Sequence, residues 1–285
     1  MKYFKNKFAA SLSLLALIGL IFKAFIAKEL ALDENLIERT FTSYVLAYLA
    51  FKISYMETRR VALIFIPLLV HSLTMALVVR TGFAPEIFRD MVDIITSLYR
   101  LMVMVGVFFI LELCFNKILG SLATSVLGGI SLLIFLAIVF TKKLEVLTPY
   151  KDFFLYFSFY VMAIRVRSAL RLNPALLVLA LALVVGEVYL RKKYIKIDYG
   201  FFLSILPLAY LSLKTIPNEQ DFGFLDYIVF ALIYIYPALF VIIRAKFAIE
   251  SLAISIIALL ASYILGEAIY KIKNTYLSYL FLGIN

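Results

Sequence analysis

The sequence contains no tryptophan, one histidine and one cysteine among 285 residues. A lone thiol, Cys114, excludes an internal disulfide; at the end of an apolar run it serves as a small hydrophobic side chain. A lone imidazole, His71, with no cysteine cluster beside it offers no zinc ligand set, so no metal is expected, and no cofactor motif is present. Charge is also scarce. Only 16% of the residues are Asp, Glu, Lys or Arg and 65% are hydrophobic, whereas an ordinary soluble domain is about a quarter charged and about half apolar. A soluble globule must cover its apolar interior with a largely polar surface, which 28 basic and 18 acidic side chains cannot supply here. Absent too are the ten-residue alternations of apolar and polar residues that mark a membrane β-barrel. Apolar stretches such as Leu176 to Val185 are continuous instead.

What is present fits lipid. A hydrocarbon core of about 30 Å takes roughly 20 helical residues per crossing, which allows at most about ten crossings in this length. The expected fold is therefore an all-α polytopic bundle of about nine or ten transmembrane helices, forming one membrane domain over residues 1–285. The segments read from the sequence are about 8–27, 40–56, 61–79, 92–115, 118–141, 152–170, 174–190, 200–213, 224–243 and 248–270. Residues 28–39 are read as the first polar connection, an acidic interfacial helical turn. The first segment follows Lys2, Lys5 and Lys7 and is expected to remain as an uncleaved anchor, because Lys23 interrupts it and no small-residue cleavage site follows.

The net charge of +10 is distributed in short clusters between the apolar segments rather than along one soluble stripe. Membrane lipids are thus the expected partners, along with a small-molecule or lipid substrate or a membrane-protein partner, and no nucleic acid. The positive-inside rule places the N-terminus in the cytoplasm of a cell-membrane protein, yet it conflicts with itself further on. Lys142, Lys143, Lys151, the basic run Arg191 to Lys196, Arg244 and Lys246 fall on one side; Arg165, Arg167, Arg171, Lys214, Lys271 and Lys273 fall on the other. A re-entrant or interfacial segment between 61 and 141 would reconcile them, and the stretch from Arg80 to Arg100 is the expected place.

Ionisable groups inside apolar segments are the natural site candidates, since each is costly in hydrocarbon. Four are assigned to substrate binding: Arg100, His71, Glu187 and Glu267. Arg100 also has Asp93 two turns earlier and Glu112 further along as pairing partners. His71 lies four residues after Pro67, whose ring frees a backbone carbonyl for it. Glu187 and Glu267 each precede a cation by four residues and share a helix face with it, which neutralises the pair. Gly120, Thr124 and Gly128, and beside them Ser121, Ser125 and Gly129, form two rows of small residues that favour close helix packing.

No catalytic constellation emerges. There is no G-x-S-x-G, no phosphate-binding glycine loop, no aspartate-rich diphosphate motif and no paired-glutamate protease motif. Gly223 to Asp226 reads G-F-L-D and lacks the second glycine of the intramembrane aspartyl protease motif. The expected function is that of a transporter or lipid flippase. A non-catalytic scaffold or subunit of a membrane complex is the first alternative, and a membrane enzyme acting on a lipid or polyprenyl substrate the second.

Overall fold

The computed structural model describes residues 2–30, 34–54, 56–71, 73, 85–140, 150–166, 178, 182, 223–247 and 251–284. Every regular element among them is helical, and no strand occurs. The helices are α1 (Lys2–Ile21), α2 (Lys23–Leu30), α3 (Glu34–Ile53), α4 (Thr58–Leu63), α5 (Pro85–Phe140), α6 (Lys151–Val166), α7 (Phe224–Lys246), α8 (Ser251–Ile272) and α9 (Thr275–Leu282). Among the described residues three stretches are long and apolar enough to cross a membrane: Leu98–Ile118, Phe224–Arg244 and Leu252–Ile272. Beyond Gly120 the helix remains apolar over Leu122–Ile138. The expected segments at 174–190 and 200–213 lie outside the described residues, except for single positions.

The chain divides into two compact units, Met1–Ser54 with Val105–Pro217, and Tyr55–Met104 with Asn218–Asn285. In the first unit α3 packs against α1, α2 and α6. The stretch read as an interfacial helical turn is divided between two helices: α2 runs to Leu30 and α3 begins at Glu34. Lys23 ties the two together: its Nζ lies 2.6 Å from Glu38 Oε2 and 3.5 Å from Glu34 Oε1. Those two glutamates, one turn apart on α3, satisfy the cation that interrupts the first apolar run. One residue further on, Arg39 Nε lies 3.0 Å from Asp152 Oδ1 in the first turn of α6. That contact is an ion pair; its alignment falls short of a hydrogen bond.

Helix α5 begins at Pro85, where a missing N–H costs nothing. It is broken at Gly120, whose φ of 80° and ψ of 172° lie in a region essentially reserved for glycine. In a straight helix residues eight apart are separated by about 12 Å, yet Thr124 Oγ1 donates to Asn116 Oδ1 over 2.6 Å. The chain therefore turns back at Gly120. Of the small-residue rows, Gly128 meets α6 closely, where a Cβ would lie 2.8 Å from Val161 Cγ1, while Gly129 faces open space. Gly120→Ala is expected to cost about 1–3 kcal/mol from backbone strain alone, because nothing lies near its side-chain position. Gly129→Ala, mid-helix and unobstructed, is expected to gain up to about 1 kcal/mol. Denaturant titration of the two variants in detergent micelles checks the contrast.

In the second unit α7 packs against α8 and α9. Helix α7 is mostly buried, whereas α8 turns Leu252, Ile256, Leu260 and Ile264 outward at four-residue spacing. A similar stripe, Val103, Val107, Ile110 and Leu113, runs along α5. Exposed apolar stripes of this length are unfavourable in water and suit contact with acyl chains. Asp226, the last residue of the G-F-L-D stretch, caps α7: its Oδ2 accepts from Gly223 N at 2.7 Å.

Candidate functional site

Two places gather functional groups, one in each unit. The first is built on the turn at Gly120. Glu112 and Asn116 are one helical turn apart in the Leu98–Ile118 stretch, so they share a face. Asn116 Nδ2 donates to Glu112 Oε1 at 3.1 Å, and Tyr160 Oη, arriving from α6, donates to Glu112 Oε2 at 3.3 Å. Thr124, fully buried, closes the chain of bonds onto Asn116 from beyond the turn. Below this cluster α6 presents Phe153 and Phe157 to Phe108, with ring centroids 5.2 and 5.4 Å away. A carboxylate, an amide and two hydroxyls are thus held together above an aromatic floor.

The second place is the packing around α9, an eight-residue helix fixed at both ends. Asn274 Oδ1 accepts from the Tyr276 and Leu277 N–H groups at 3.0 and 3.2 Å. Gly283 ends the helix in the left-handed conformation, φ 70°, its N–H bonded to Tyr279 O at 3.1 Å. The last-turn carbonyl of Phe281 would otherwise lack a donor. His71 Nε2 lies 3.3 Å from it and, since a carbonyl only accepts, carries the proton. The His71 ring stands 6.4 Å from the Tyr234 ring, and the Tyr234 hydroxyl donates to Ile64 O. Between α7, α8 and α9 lies a cavity of about 290 Å³ with His71 in its wall.

The sequence assigned His71 to the carbonyl freed by Pro67. The chain instead breaks at Ile64 and Phe65, whose N–H groups reach back three residues to Val61 and Ala62. A new helical stretch, 66–71, places Pro67 in its first turn, where no intrahelical N–H bond is required. His71 therefore serves α9 and not its own helix.

Of the remaining sequence candidates, the two that are described, Arg100 and Glu267, do not line the cavity beside His71. Arg100 of α5 is exposed. Glu267 Oε1 pairs with Lys271 Nζ at 2.6 Å on the surface. It sits two residues from both Leu265 and Ile269, the α8 residues lining the cavity, and hence on the opposite face of that helix. Glu187 lies outside the described residues, as do Arg167, Arg171 and Pro174. No group of three or more His, Cys, Asp and Glu side chains able to hold a metal ion occurs among the described residues.

Sequence reasoning weighed Glu112 only as a partner for Arg100 and Thr124 only as a small residue. The available signal was the four-residue spacing of Glu112 and Asn116, followed by a glycine and then Thr124. Only a reversal at Gly120 makes it one site. Comparisons with family models, curated proteins and solved structures return no match.

Proposed function

We propose that the chain is a multi-pass protein of the cell membrane, with nine or ten crossings and a cytoplasmic N-terminus, that moves a small solute or a lipid across the bilayer as a transporter or flippase. One observation carries this reading: Glu112 lies inside a stretch long and apolar enough to span, tied into a polar cluster at a helix reversal. An acidic or basic side chain at the centre of a spanning helix costs about 2.5–3.5 kcal/mol or more. Interhelical hydrogen bonds in membranes average only about 0.6 kcal/mol, so each contact to Glu112 returns a fraction of that cost. Helix-to-helix adhesion alone is a weak reason to keep a carboxylate there; handling a polar group in transit is a stronger one.

The test uses the purified full-length chain in phosphatidylcholine vesicles carrying a fluorescent phospholipid, with an impermeant quencher reporting movement between leaflets. Vesicles with protein are expected to equilibrate the probe faster than vesicles without it. Glu112→Gln is expected to slow the exchange about tenfold, equivalent to about 1.4 kcal/mol in the barrier, with helicity by circular dichroism unchanged. Glu112→Gln at the parental rate would remove the cluster from the mechanism.

A second reading, a non-catalytic scaffold or subunit, draws on a different observation. His71 and Glu267 are each satisfied by a separate partner within the protein, as packing residues would be. An inert purified chain that leaves native membranes in fixed ratio with another membrane protein would favour it.

A further inference from the structure

We propose that the cavity in the second unit is a binding site for one acyl chain of a bilayer phospholipid, independent of whether the chain transports anything. Nine of its ten lining residues are apolar, among them Ala238 and Ile242 of α7, Leu265 and Ile269 of α8, and Leu277 and Phe281 of α9. The tenth is His71, whose Nε2 proton is already committed to the Phe281 carbonyl. The walls thus leave a polar ligand little to bind, and an aqueous filling, which needs two to four polar partners per water, is disfavoured. Hydrocarbon is the chemistry that remains.

Size and position select the source. An engineered apolar cavity of about 150 Å³ takes up benzene, so about 290 Å³ accommodates roughly twice as much, a segment of about a dozen carbons. Two of its walls, α7 and α8, are candidate spans, which puts the cavity at hydrocarbon depth. One wall residue, Leu265, is 42% exposed and continues into the outward apolar face of α8 through Ile264. A phospholipid tail moving along that face reaches the cavity without leaving hydrocarbon. Left empty, the lining would forgo its dispersion contacts on one side.

The test is photocrosslinking of the full-length chain in phosphatidylcholine vesicles that contain a phosphatidylcholine with a diazirine at the end of one acyl chain, with adducts mapped by mass spectrometry. Adducts are expected on the cavity face of α8, around Ile269, and on Leu277 or Phe281 of α9. Ala238→Phe, which fills the space, and Leu265→Trp, which blocks the exposed mouth without overpacking the interior, are each expected to abolish them. Labelling of the outward face at Ile256 and Leu260 should persist in both variants. Should Ala238→Phe fail to fold, Leu265→Trp decides alone. Adducts confined to the outward face, or cavity adducts that survive Leu265→Trp in folded protein, would overturn the site. Neither outcome bears on Glu112, so a negative result here leaves the transport reading to its own test.

Discussion

Gly283→Ala is expected to destabilise the second unit by about 2–5 kcal/mol, a sum of about 1–2 kcal/mol for a non-glycine residue in the left-handed region and about 1–3 kcal/mol for overpacking. Its φ of 70° is only half of the reason. A Cβ there would lie 2.6 Å from Ile64 Cα and 2.9 Å from Ile64 O, and backbone atoms cannot swing away as a flexible side chain can. Ile64 is itself fixed, since its carbonyl accepts the buried Tyr234 hydroxyl. Gly283→Asn separates the two contributions: asparagine tolerates the left-handed conformation but still carries a Cβ. Both variants should therefore unfold at lower denaturant than the parent in detergent micelles, alanine more so. An asparagine variant as stable as the parent would show that the close approach to Ile64 does not hold. Displacing Gly283 also withdraws the Phe281 carbonyl from His71, so the imidazole NMR signal is expected to shift in either variant.

Arg39→Ala is expected to cost about 1–3 kcal/mol, between the values for an exposed and a buried ion pair. The intermediate range applies because the side chain of Arg39 is 12% exposed but that of Asp152 is 27% exposed, so water reaches the carboxylate left behind. The first-turn position of Asp152 on α6 gives it some further support from the helix dipole. Replacing both residues, Arg39→Met with Asp152→Leu, is expected to cost far less than either single change, because no charge is then left unpaired. The measurement is a double-mutant cycle on unfolding free energy. Additive single-site costs would mean that Arg39 and Asp152 do not act on each other.

The ion pairs also explain the polarity of residues 28–39. By composition that stretch is polar, and polarity between apolar runs normally marks a connection. Glu34, Glu38 and Arg39 are polar because each meets a charge on another helix: Lys23 for the glutamates, Asp152 for the arginine. Such partners are far apart in sequence, and no local pattern announces them. Arg100 illustrates the converse. Read within a segment starting at residue 92, it lies inside an apolar run and calls for a partner; in the structure its side chain is exposed.

The sequence by itself determined the helical class and the presence of stretches able to cross a bilayer, because both follow from composition and from apolar runs that are local and additive. It also placed a division between two apolar segments at residues 116–117, shortly before the break at Gly120. Tertiary structure alone decided that this division is a reversal joining Glu112, Asn116, Thr124 and Tyr160, that His71 serves the Phe281 carbonyl 210 residues away, and that α7, α8 and α9 enclose a cavity. Those features depend on which side chains meet across helices, and contact at a distance is written in the packing of the whole chain rather than in any window of it.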